Sequence, residues 1–134
     1  MALNLYMVGL ISQDMSRSLD FYRRLGVAIP DDSEDKTHVE VKMGNGLTFF
    51  LDSMPARWDP GYVKPHGTEY TEMSNNYSSV LEFYLEDRTV LDAKYAELTS
   101  LGYQGHRKPY VTSFGMYFAL IKDPDGNMIL LSAD

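Results

Sequence analysis

Two helix signals of the same construction stand 73 positions apart, and they make the chain one unit written twice. The first runs from Asp14 to Gly26 (DMSRSLDFYRRLG) and the second from Asp87 to Gly102 (DRTVLDAKYAELTSLG). Each follows a short apolar strand, opens on a capping aspartate and ends at a glycine, the residue that tolerates the left-handed turn closing a helix. Met15, Leu19, Tyr22 and Leu25 recur at helical spacing in the first, and Val90, Leu91, Tyr95, Leu98 and Leu101 in the second, so each predicts one buried stripe. Helices set on one side of a twisted mixed sheet would leave its other side concave.

The strands between the helices follow from alternation. Leu5, Met7, Gly9 and Ile11 alternate with Tyr6, Val8 and Leu10, which predicts a first strand buried on both faces. From His38 to Met43 one face is apolar (Val39, Val41, Met43) and the other polar (His38, Glu40, Lys42). Asn45 and Gly46 form a two-residue hairpin signal leading into Leu47 to Leu51, because both turn positions tolerate positive φ. In the second half a strand is expected from Ser79 to Glu86, and a short one from Tyr103 to His106 that Pro109 ends. Gly115 to Lys122 then pairs with Asn127 to Ser132 across the turn at Asp125 and Gly126. Residues 53–79 carry Pro55, Pro60, Pro65, Gly61 and Gly67, so they form a loop; Trp58, Tyr62 and Tyr70 make it too apolar for a solvated tether. It is expected to cover a cavity or a subunit contact.

Composition narrows the function. A chain of 134 residues with a formal net charge of −7 suits one compact domain whose field repels phosphate backbones and anionic membranes, so neither nucleic acid nor membrane is an expected partner. Absence of cysteine removes disulfides, thiolate metal sites and thiol nucleophiles together. Leu3 to Ile11 is apolar but short and runs directly into a helix signal, so it reads as a strand rather than an export sequence, and a cytoplasmic protein is expected. The acceptor pattern Asn76, Tyr77, Ser78 is then a chance match. There is no phosphate-cradling glycine loop and no GxSxG elbow; Gly44 to Gly46 is a hairpin turn.

The two helix segments, FYRRLG at the end of the first, and DPDGN in the last hairpin resemble the glyoxalase, bleomycin-resistance and extradiol-dioxygenase superfamily, the vicinal oxygen chelate fold. The resemblance covers nearly the whole chain. It implies an α+β fold of two βαβββ modules, a mixed sheet curved around a cavity with the helices on the outer face. Module one would occupy about residues 1–52, the linker 53–78 and module two 79–134, all within a single domain 1–134. It also implies a homodimer.

Metal-dependent members of that superfamily draw ligands from the first and last strand of each module, commonly His, Gln or Glu. The corresponding places here hold Met7, Val80, Leu130 and Phe50, with Thr48 the nearest alternative to Phe50. Thioether and alkyl groups cannot replace the carboxylate or imidazole donors that divalent cations need, so no metal and no cofactor is expected. Glu82 and Tyr84 share the inward face of their strand with Val80, while Leu81, Phe83 and Leu85 face the helix. A carboxylate on a concave wall suits a ligand cation, a structural pair or a general base. Among His38, His66 and His106, His38 is the best candidate, since it shares a polar face with Glu40. Aromatic rings beside carboxylates form a receptor for a flat or cationic molecule.

The expected binders are therefore Glu82 and Tyr84, Phe50, Glu40 and His38, with Trp58 and Tyr110 from covering loops. The resemblance to the bleomycin-resistance branch implies a metal-free protein that sequesters a small organic ligand, cationic or aromatic, such as an antibiotic. The rivals are a metal-dependent lyase or dioxygenase, a metal-independent isomerase with Glu82 as base, and a regulatory module without a ligand.

Overall fold

Local signals account for both helices. In α1 (Met15–Leu25) the Asp14 side chain accepts from the Arg17 N–H at 3.3 Å, and Gly26 ends the helix at φ 119°, its own N–H bonded back to Tyr22 and Arg23. In α2 (Arg88–Ser100) the Asp87 side chain accepts from the Thr89 N–H at 2.6 Å. The computed structural model describes residues 2–65 and 76–134, so His66 and Tyr70 lie outside the described residues. The chain divides into two compact units, Met1–Pro65 and His66–Asp134.

In the first unit, β1 (Met7–Ile11), β2 (His38–Gly44) and β3 (Leu47–Asp52) form a mixed sheet in the order β1-β3-β2. β1 runs parallel to β3 with Gly9 opposite Phe50, and β2 runs antiparallel to β3 with His38 opposite Asp52 and Glu40 opposite Phe50. Period two then sorts the side chains. Val39, Val41, Phe49 and Leu51 are buried, as are Leu19, Phe21, Tyr22 and Leu25 of α1, and the Tyr22 and Phe49 rings meet at 5.2 Å. Asn45 and Gly46 take φ 53° and 78°, both positive as the hairpin signal requires.

Two expectations fail here. β1 is half-buried rather than covered on both faces, and Leu5 and Tyr6 before it are exposed. Met43 is exposed although it should continue the Val39 and Val41 face, because the register shifts between Lys42 and Gly44 and a bulge turns it out. Residues 27–37, between α1 and β2, form no strand. Val27 and Ile29 anchor the segment in the core, and Arg23 holds it from outside through Glu34 and the Pro30 carbonyl.

The second unit contains β4 (Leu81–Tyr84), β5 (Gly105–Val111), β6 (Tyr117–Lys122) and β7 (Met128–Ala133) in the order β4-β7-β6-β5. β4 is parallel to β7, and the other pairings are antiparallel, so this sheet too is mixed. Ala119, Ile121, Ile129 and Leu131 are fully buried with Leu91 and Leu98 of α2. The stripe of α2 is narrower than its spacing predicts. Leu91 and Leu98 stand two turns apart on one line, whereas Val90 is rotated off it by one residue and Leu101 lies past the last turn, and both are exposed. Tyr95 is half-buried.

Pro109 does not end the strand it was expected to break. β5 starts at Gly105, runs through Pro109 to Val111, and shifts register against β6 on both sides of Arg107. A strand at the sheet edge can spare the missing N–H. The last hairpin is built around Asp123, whose carboxylate accepts from the N–H groups of Asp125 and Asn127 and from the Asn127 amide at 2.8 to 2.9 Å. The architecture is thus α+β, two mixed sheets of three and four strands with a helix belonging to each unit. Among the described residues no helix is long and apolar enough to cross a membrane.

Candidate functional site

The face of the first sheet opposite its core carries the chemistry. Register places Ile11, Asp52 and His38 in one row across β1, β3 and β2, and Gly9, Phe50 and Glu40 in the next. The Phe50 ring lies across Gly9, where a Cβ would overlap it, and meets the His38 ring at 4.9 Å. His38 Nδ1 is 2.8 Å from Asp52 Oδ2, and its Nε2 is 2.8 Å from Glu40 Oε2. Both partners are carboxylates, so the protonated ring can donate from both nitrogens at once. Burial pushes the His38 pKa down, but the hydrogen bonds to Glu40 and Asp52 outweigh it and raise it above its ordinary value.

Asp52 is the residue that orders this cluster, and it is only 3% exposed. Its Oδ1 accepts from the Met54 N–H at 2.7 Å, and its Oδ2 accepts from His38 and, at 3.2 Å, from the Trp58 indole N–H. Burial raises its pKa, but the donors His38, Met54 and Trp58 prevail and hold it below the usual carboxylate value. Trp58 follows a single 3-10 turn, Pro55–Arg57, and stays 59% exposed although its N–H is tied down. Arg57 donates from Nη1 to Thr37 Oγ1 at 2.8 Å. His38, Asp52, Arg57 and Trp58 line an open pocket of about 370 Å³, within the range of small-molecule sites.

The second sheet has its own rows. Glu82, Leu130 and Leu120 form one row of β4, β7 and β6, and Tyr84, Ser132, Phe118 and Tyr110 the next. Glu82 is exposed, accepts from the buried Ser132 hydroxyl at 2.8 Å, and pairs with no cation among the described residues. Tyr84 donates to Asp134 Oδ2 at 2.6 Å, and that bond raises its phenol pKa. The Arg107 guanidinium sits 3.7 Å over the Tyr110 ring, and Phe118 lies edge-on to both Tyr110 and Phe114.

Of the expected site residues, His38, Glu40, Phe50 and Trp58 therefore gather on the first unit's sheet, and Glu82, Tyr84 and Tyr110 on the second unit's. Tyr110 belongs to β5 rather than to a covering loop. Asp52, Arg57 and Ser132 were not among the expected binders. Asp52 follows Phe50 at period two, which puts it on the same face; that was the available signal.

At the places that the resemblance marks for a metal, register sets Met7 opposite Thr48 and Leu130 opposite Glu82. The thioether of Met7 and the alkyl group of Leu130 offer no donor to a hard divalent cation, and both nitrogens of His38 are already engaged by carboxylates. Among the described residues no group of three or more His, Asp or Glu side chains is arranged to hold a metal.

Residues 4–131 match the family model described as the Glyoxalase/Bleomycin resistance protein/Dioxygenase superfamily. The chain belongs to this superfamily. Solved structures share its fold at low identity. A glyoxalase-related enzyme from Fulvimarina pelagi is 18% identical with a TM-score of 0.76, the match covering 99% of this chain and 89% of that one. The hypothetical protein SA1046 from S. aureus is 20% identical with a TM-score of 0.72, covering 100% and 95%. A lactoylglutathione lyase from Agrobacterium tumefaciens is 17% identical with a TM-score of 0.64, covering 97% and 92%. No curated protein sequence matches the chain significantly.

Proposed function

We propose that this superfamily member is a binding protein that sequesters a compact aromatic organic molecule, such as an antibiotic, without a metal ion. The observation that carries this reading is the indole of Trp58, more than half exposed yet fixed through its N–H to buried Asp52 at the wall of an open pocket. A large aromatic face held still in contact with water loses little conformational entropy when a flat ligand stacks on it. In the same reading His38 lines the pocket, and Glu40 and Phe50 support the site through their contacts with the His38 ring. Glu82, Tyr84 and Tyr110 are assigned to ligand contact on the second unit's face, where the exposed Glu82 carboxylate, paired with no cation among the described residues, suits a cationic group. A cytoplasmic homodimer completes the proposal.

Trp58 is the chain's single tryptophan, so its fluorescence reports on the pocket it lines. Protein stripped of metal should show saturable quenching by small flat organic compounds, with the bound compound recovered unchanged. Binding that appears only after addition of Fe(II), Mn(II), Ni(II) or Zn(II), or conversion of the compound, would replace this reading with the enzymatic one.

A further inference from the structure

One cation at the Trp58 pocket has no carboxylate partner among the described residues, and it selects the ligand. The molecule carries a formal net charge of −7, and the pocket is lined by one guanidinium, one histidine ring, one indole and one carboxylate. The carboxylate cannot serve a ligand. Asp52 is buried, and its oxygens already accept from Met54, His38 and Trp58. His38 is likewise committed at both nitrogens, to Asp52 and Glu40.

Arg57 differs. Its guanidinium makes a single hydrogen bond, from Nη1 to Thr37, and faces no carboxylate within ion-pair distance among the described residues. A guanidinium carries five N–H donors in a planar fork, so four remain for a ligand, in the geometry that matches a carboxylate two-on-two. Trp58 is the next residue along the chain, and the turn that ends there brings its indole and the Arg57 side chain to the same pocket. A flat ring for stacking beside an unpaired fork of donors describes a receptor for an aromatic ring bearing an anionic group.

We infer that the pocket of the first unit binds a planar aromatic carboxylate, its ring against Trp58 and its carboxylate on Arg57. This rests on the binding-protein reading above and names the class of ligand for that site. Counted with Glu40, which His38 also engages, the cluster of His38, Asp52 and Glu40 carries no surplus positive charge, so Arg57 is the cation offered to a ligand.

The test uses the full chain and three probes of one shape: benzoate, neutral benzamide and cationic benzamidinium. Trp58 fluorescence should quench saturably with benzoate, at least tenfold more tightly than with benzamidinium and with benzamide between them. Arg57→Gln should weaken benzoate at least tenfold and leave benzamide unchanged. Arg57→Lys, which keeps the charge but loses the fork, should restore only part of the loss. Benzamidinium binding as tightly as benzoate, or benzoate binding unaltered by Arg57→Gln, would overturn the inference and leave the binding-protein reading standing. Saturable quenching by none of the three would overturn both.

Discussion

Gly9 sets the position of the Phe50 ring, and through it the wall on which His38 rests. The ring occupies the space a side chain at position 9 would need, and only hydrogen stands between the β1 backbone and the aromatic face. Gly9→Ala must push the ring away. Because the clashing atoms are the far end of a side chain that can rotate, the cost should be about 1 kcal/mol, the low end for an overpacked site. The same displacement should move the His38 ring resonances, since the two rings lie 4.9 Å apart. Adding Phe50→Leu should recover most of the urea stability lost in the single variant. A Gly9→Ala protein with unchanged stability and unchanged His38 resonances would show that the ring does not depend on the glycine.

At the scale of the element, the turn from β4 into α2 holds backbone strain. Glu86 has φ 66°, and the N–H of Asp87 bonds to the Leu85 carbonyl at 2.7 Å across it, a tight turn that ordinary side chains disfavour. Glu86→Gly should raise stability by roughly 0.5 to 1 kcal/mol in urea unfolding, the relief of a left-handed residue less the added freedom of the unfolded chain. A loss of stability would mean that the Glu86 side chain contributes more than its backbone costs. The elements themselves were legible because their signals are local: Asp14 and Asp87 cap the helices they announce, and Asn45 and Gly46 turn where the pattern breaks. The site was legible only in part, and the cause is one residue. A strict two-residue turn at 45 and 46 would set Asp52 opposite Val39; the bulge after Lys42 shifts the register and sets it opposite His38. No local signal in the sequence announces that bulge. The pairing of Asp52 with His38, which fixes Trp58 and the pocket, was therefore hidden although each residue was visible. Pro109 misled for a similar reason, because its effect depends on β5 being an edge strand, and edge position is set by the whole sheet.

For the whole molecule, the ion-paired cluster gives folding stability a dependence on pH whose sign can be worked out. His38 has a folded pKa above its unfolded value near 6.5, so its contribution is fully present below about 6.5 and is lost as pH rises through the folded value. Asp52 has a folded pKa below its unfolded value near 3.9, so its contribution is present above about 4 and is lost as pH falls through the folded value. The two overlap between about pH 4 and 6.5. The acidic chain repels itself increasingly as pH rises, with a formal net charge of −7 at neutrality, and this slope is superimposed on that of the cluster. Comparison with His38→Gln removes most of the shared background, since the variant keeps every carboxylate and differs in charge only by the His38 proton under test. The wild type should exceed His38→Gln by about 1 kcal/mol in urea unfolding at pH 5.5, the size that solvent leaves to a pair whose histidine is more than one-third exposed. The excess should shrink by pH 9, where the imidazole is neutral and one of its two carboxylate contacts loses its proton donor. An excess that stays the same from pH 5.5 to pH 9 would mean that His38 stabilises the fold by shape and stacking on Phe50, with its charge playing no part.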